Sequence, residues 1–204
     1  MNVKIKNCGL RTAEDIHAAA MSGASYVGFV HHAASPRHLG FEAIADLSES
    51  VPPTLQQVVV MVDPSDESIA ELQRYLRPHF LQLHGIAHPG RIEDIAKRTA
   101  IPIIAAVAIR TREDTARAAA FEPASAHLLL DGAHPGSGRP FDWSLLTGLA
   151  LKKTVVPLRR ASRQRTSPKR YASPARRWSM YPASSSPPPA SRTRKRLRRS
   201  TAPC

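Results

Sequence analysis

Three side chains in this sequence have the type and setting to do chemistry: Cys8, Arg37 and Asp131. Cys8 stands in Lys6-Asn7-Cys8-Gly9-Leu10. A thiol there is a base or nucleophile only as its thiolate, and otherwise packs as a small hydrophobe. Asp131 follows Leu128-Leu129-Leu130. It can deliver a proton to a reacting atom, or it can cap the next turn. Arg37, in Ser35-Pro36-Arg37, offers a planar fork that suits a carboxylate, or it is an ordinary surface charge. The histidines point to no metal. His31 and His32 are adjacent and so diverge on an extended segment, while His84, His127 and His134 lack metal-ligand spacing. No metal and no cofactor is expected.

What positions these residues is a repeating alternation of apolar runs and amphipathic segments. Strands are expected at Val3–Ile5, Tyr26–Val30, Gln57–Val62, Phe80–Leu83, Ile101–Val107 and His127–Leu130. Between them, helices are expected from Thr12 to Met21, Phe41–Ser50, Asp66–Leu76, Arg91–Lys97 and Arg112–Phe121. Thr12 can cap the first helix, and Glu14 and Asp15 favour its positive end. Continuous runs such as Val58-Val59-Val60-Met61-Val62 suit strands buried on both faces, as parallel sheets require. The alternation fits a doubly wound sheet or an eight-stranded barrel. No GxGxxG turn follows the first strand, which disfavours a dinucleotide domain. The fold expected is α/β, an incomplete (β/α)8 TIM barrel of about six to seven βα units. Barrel enzymes carry reactive groups at the C-terminal ends of the strands, and Cys8, Arg37 and Asp131 all follow strand-length runs.

Charge divides the chain in two. Residues 1–151 carry 13 Lys/Arg and all 16 Asp/Glu, a net of −3, whereas the last 53 residues carry 16 Lys/Arg and no acid. The formal +13 of the whole chain therefore belongs to the tail. After the apolar scrap Thr154-Val155-Val156 come Pro187-Pro188-Pro189 and Arg194-Lys195-Arg196-Leu197-Arg198-Arg199. Such a composition buries too little surface to offset the entropy of ordering. Residues 1–156 are thus expected to form a partial barrel domain, and 157–204 a basic, disordered Pro/Ser/Arg-rich tail. The polar start Met1-Asn2-Val3-Lys4-Ile5-Lys6 has no signal-peptide core, the apolar runs are too short to span a membrane, and two cysteines make no disulfide framework. A cytoplasmic protein without a membrane partner is expected.

Four motifs in order carry a family resemblance: Lys6-Asn7-Cys8-Gly9-Leu10; Gly28-Phe29-Val30 with Ser35-Pro36-Arg37; Gln82-Leu83-His84-Gly85; and Leu129-Leu130-Asp131 with Gly136, Gly138 and Phe141-Asp142-Trp143. Together, across residues 3–149, they resemble phosphoribosylanthranilate isomerase. The resemblance implies a (β/α)8 barrel and an Amadori rearrangement in tryptophan biosynthesis. Its substrate would be the phosphorylated small molecule N-(5'-phosphoribosyl)anthranilate, handled by a monomer or homodimer. It also implies Cys8 as general base, Asp131 as general acid and Arg37 as the partner of the anthranilate carboxylate. Asn7 departs from the pattern, where the family usually has an apolar residue.

The resemblance further implies a seventh strand, a Gly-rich turn and an eighth strand ending in Ser-Ser-Gly, whose loops hold the substrate phosphate. Residues 158–204 contain none of these. Yet permissible codons from Leu158 onward, read two nucleotides later, spell Pro-Ala-Gly-Phe-Thr-Pro-Glu-Asn-Val-Ala-Glu-Ala-Leu-Arg, which resembles the expected ending. A frameshift between about Val155 and Leu158, in the gene or introduced in sequencing, accounts for that and for the composition. Little or no isomerase activity is expected of the chain as written. The rival reading is a non-enzymatic protein whose basic tail binds nucleic acid. The tail offers only Tyr171, Trp178 and Tyr181 for stacking and no recognisable module, so no specific nucleic-acid partner is expected. Another phosphate-binding barrel, of indole-glycerol-phosphate or triose type, fits the Cys8 and Asp131 motifs less well.

Overall fold

The computed structural model describes residues 4–132, 142–149, 151–152, 154–155 and 178–182. Six strands alternate with five helices in chain order: β1 Lys4–Cys8, α1 Ala13–Met21, β2 Tyr26–His31, α2 Phe41–Ser48, β3 Gln56–Val62, α3 Asp66–Tyr75, β4 Phe80–His84, α4 Pro89–Thr99, β5 Ile103–Ile109, α5 Glu113–Phe121 and β6 His127–Gly132. Two short strands follow, β7 Thr154–Val155 and β8 Trp178–Pro182.

All neighbours pair in parallel, in the order β7-β6-β5-β4-β3-β2-β1-β8. A strand order that follows the chain order, with a helix at each crossover, is how a β/α barrel is wound. The sheet curls until β7 and β8 come within 8 Å between Cα atoms, but they do not pair. The expected incomplete barrel is therefore the observed architecture.

Side-chain parity explains the two cores. One set of strand residues, including Val27, Phe29, Val59, Met61, Leu81, Leu83, Leu128 and Leu130, shares a large cluster with helix residues Ile16, Ile44, Ile69, Leu72, Ile92, Ile95 and Phe121. The alternate set faces the barrel interior, where Tyr26, Val58, Ile104 and Leu129 form a separate layer. Above it, towards the C-terminal ends, Cys8, Val30 and Val60 make a third cluster.

The helix starts follow capping chemistry. Thr12 accepts from the Asp15 amide at 3.1 Å and Ser65 from the Ser68 amide at 3.2 Å. Helix α4 begins two residues before the expected Arg91 because Pro89 sits at its first turn, where a missing N–H costs nothing. Strand β1 runs past the expected Ile5 to Cys8, and β6 past Leu130 to Gly132. Both extensions contain polar residues that point into the barrel mouth, so an apolar pattern could not mark them.

The tail brings an addition. The sequence places no strand after Val156, whereas Trp178–Pro182 pairs with all of β1, from Lys4 opposite Trp178 to Cys8 opposite Pro182. The segment is rich in strand-favouring aromatic residues and meets an edge that would otherwise stay open. Proline stands at its last position, as fits a residue without an N–H to give. The remaining tail expectations, and Gly136, Gly138 and Phe141, lie outside the described residues.

Candidate active site

Cys8 is the final residue of β1 rather than a residue after it, and it faces inward at 9% exposure beside Val30 and Val60. The strand ends there because the Gly9 and Leu10 amides both donate to the Gly28 carbonyl, at 2.7 and 3.1 Å. Gly9 has a φ of +80°, and a Cβ on it would lie 2.5 Å from Arg37 Cδ. Only glycine satisfies both demands, and the result is an Arg37 side chain laid across the end of β1.

Arg37 is delivered by the loop after β2. That loop is pinned where the Leu39 amide donates to the Val30 carbonyl at 2.8 Å, and where the Arg37 amide donates to Ser35 Oγ at 3.2 Å. Cys8 and Arg37, far apart in sequence, thus meet at one strand end. Asp131 lies within β6, two residues beyond interior-facing Leu129, and is 7% exposed. Its Oδ1 accepts from the Gly132 amide at 2.8 Å. All three sequence-predicted residues stand at the C-terminal end of the barrel. Asp142, the next motif residue described, caps a short 3-10 turn at Trp143–Leu146 by accepting from the Ser144 amide at 3.0 Å.

The sequence reading missed a polar chain that crosses the interior. Lys6, 1% exposed, donates to Cys8 Sγ at 3.4 Å and to Gln82 Oε1 at 2.8 Å. Gln82 Nε2 lies 2.6 Å from His84 Nε2. Burial pushes the Lys6 ammonium well below the ordinary lysine range, the Cys8 sulfur opposes that, and the Arg37 charge adds to it. Room for the pair comes from Gly28, where a Cβ would meet Lys6 Nζ at 2.9 Å and Cys8 Sγ at 3.0 Å. The spacing puts 6 and 8, like 82 and 84, on one strand face each, but it does not set the two faces against each other. Among the described residues no group of three His, Cys, Asp or Glu side chains could hold a metal ion, and no helix is long and apolar enough to cross a membrane.

Fold and site together define a class: a β/α barrel with thiol, carboxyl and guanidinium groups at the C-terminal ends of its strands, where such barrels hold their chemistry. The family model described as N-(5'phosphoribosyl)anthranilate (PRA) isomerase matches residues 5–158. The chain is 40% identical over 158 residues to an N-(5'-phosphoribosyl)anthranilate isomerase of Rhodopseudomonas palustris, covering 74% of this chain and 72% of that one. It is similar in structure to the phosphoribosyl anthranilate isomerase of Thermotoga maritima, with a TM-score of 0.68, 32% identity and 76% of each chain covered. It is likewise similar, at a TM-score of 0.67 and 30% identity over 76% of this chain and 75% of the other, to a phosphoribosyl anthranilate isomerase solved with reduced 1-(o-carboxyphenylamino)-1-deoxyribulose 5-phosphate. The chain belongs to the N-(5'-phosphoribosyl)anthranilate isomerase family.

Proposed function

We propose that residues 1–156 carry the proton-transfer half of an N-(5'-phosphoribosyl)anthranilate isomerase, acting in tryptophan biosynthesis in the cytoplasm as a monomer or homodimer. The observation that carries this reading is the convergence of Cys8, Arg37 and Asp131 on one barrel mouth in a chain of this family.

The reaction is an Amadori rearrangement. Asp131 gives a proton to the furanose ring oxygen as the C1–O bond breaks and the anilino nitrogen forms a Schiff base at C1. Cys8, as thiolate, then removes the proton from C2, and the electron pair flows into the C1=N bond to give an enolamine. Ketonisation yields the open-chain 1-deoxyribulose 5-phosphate. Each positioned acid or base of this kind contributes typically about 10²–10⁴-fold. Arg37 pairs with the anthranilate carboxylate, so that C2 is held against the sulfur.

Phosphate binding is the deficient part. All 10 glycines of the chain lie at or before Gly148, so residues 152–204 contain no glycine for a turn whose amides could cradle a phosphate. The deciding experiment is rescue of a tryptophan auxotroph that lacks this isomerase. The 204-residue chain should fail, and the chain read two nucleotides later from codon 158 should support growth. Failure of both would overturn the isomerase reading.

A further inference from the structure

Lys6 has an environment that neither a structural strand residue nor the reaction steps above account for. It comes from β1, is 1% exposed, and lies among the interior side chains of the barrel. Among the described residues its ammonium touches two groups only, Cys8 Sγ and Gln82 Oε1. No carboxylate of the described residues is within ion-pair distance of it. An unpaired ammonium in an apolar interior is costly, so such a lysine either loses its proton or finds a counter-charge. The atom placed to supply that charge is the Cys8 sulfur.

The neighbours are arranged to keep the lysine protonated. An ammonium donates and cannot accept, so Gln82 must turn its carbonyl oxygen to Lys6. Its amide nitrogen then donates to His84 Nε2. In that orientation His84 Nε2 is the acceptor of the contact. The polarity of the whole row, from β4 to β1, is thereby set to present positive charge at Cys8. Gly28 completes the device, because any side chain there would meet both Lys6 Nζ and Cys8 Sγ.

We infer that Lys6 is the positioning residue that keeps Cys8 as a thiolate, by forming with it a buried ammonium–thiolate pair oriented through Gln82 and His84. Arg37 cannot serve in this way once it is engaged by a substrate carboxylate, so the charge at the sulfur is left to Lys6. When the thiolate takes the substrate proton it becomes a thiol, and Gln82 Oε1 stays as the hydrogen-bond acceptor of Lys6 Nζ. The inference rests on the isomerase reading for its purpose, but its test needs no substrate.

The test is the thiolate absorbance of the full 204-residue chain as a function of pH. It is measured on a Cys204→Ser background, with the Cys8→Ser signal subtracted. Lys6→Met keeps the length of the side chain and removes the charge. Expected is a Cys8 titration midpoint at least one pH unit higher in Lys6→Met, a tenfold loss of thiolate on the low-pH side, with the fold retained by circular dichroism. Gln82→Met, which removes the acceptor and leaves the lysine, should shift the midpoint the same way by less. It decides the matter if Lys6→Met does not fold. Coincident midpoints in the variants and the parent would overturn the pair. A Lys6-dependent midpoint alongside failed rescue by the frame-restored chain would leave the pair standing and remove the isomerase reading.

Discussion

At the scale of single residues, the barrel sets Cys8 and Asp131 on separate strands at one end, in keeping with the separate base and acid roles proposed for them. Cys8 and Asp131 come from β1 and β6, so they can act on different atoms of one bound sugar. Arg37 leans over Gly9 to reach the same space. In the frame-restored chain, Cys8→Ser and Asp131→Asn should each lower kcat by about 10²–10⁴-fold with KM little changed, as expected for groups used in the transition state. Arg37→Ala should instead raise KM by about 10–100-fold, the loss of a charge-assisted hydrogen bond of about 1.5–3 kcal/mol. Steady-state kinetics would separate the two patterns. The placement of all three at the C-terminal end of the barrel was legible in the sequence because each follows a strand-length run. Lys6, Gln82 and His84 were quoted only as motif letters. Their meaning depends on β1 and β4 facing each other across the interior, a long-range fact that spacing along one strand does not carry.

At the scale of elements, the helices and loops show which local rules the fold obeys and where it strains them. Helix α4 is followed by its C-cap Ala100, whose φ of 56° lies in the left-handed region that costs a residue with a Cβ about 1–2 kcal/mol. Ala100→Gly should therefore raise stability by about 0.5–1 kcal/mol after the unfolded-state entropy of glycine is charged against it, measurable by urea unfolding. Thr12→Ala should lose about 1 kcal/mol by freeing the Asp15 amide.

The loop after β2 carries a pH dependence. His31 stacks on Phe41 with centroids 3.7 Å apart and meets the Leu39 carbonyl through Nδ1 at 2.9 Å. Desolvation holds it below the ordinary histidine range, the Leu39 carbonyl and Glu71 oppose that, and His38 and His32 reinforce it. A histidine depressed in the folded state leaves the unfolded chain binding more protons, so stability falls as pH drops through the ordinary histidine range and below. His31→Phe should flatten that part of a stability–pH curve measured by urea unfolding. A curve unchanged by the substitution would show that the acid sensitivity lies elsewhere. The helices themselves were readable from their 3.6-residue stripes and caps. The extensions of β1 and β6 were not, since Lys6, Asn7 and Asp131 break the apolar pattern.

At the scale of the whole molecule, three boundaries fall in the same stretch of chain. Net charge turns from −3 over residues 1–151 to +16 over the last 53. The family match stops at residue 158. The last glycine is Gly148. A barrel needs its closing strands to remove sheet edges, and here β7 keeps two residues while β8, drawn from Trp178–Pro182, occupies the place beside β1. A five-residue strand can cover an edge, and the tail around it contains no glycine for a phosphate-cradling turn. We propose a single shift of reading frame between about Val155 and Leu158 as the common cause of all three boundaries, because a shifted GC-rich gene would yield arginine, proline, serine and alanine in place of a patterned core. The nucleotide sequence across codons 150–165 should therefore show that the codons from Leu158 onward encode, two nucleotides later, the Pro-Ala-Gly-Phe-Thr-Pro-Glu-Asn ending. An uninterrupted frame whose codons are incompatible with that ending would refute the shift. The tail would then need an explanation of its own, beginning with why its one described strand lies against the strand that carries Cys8.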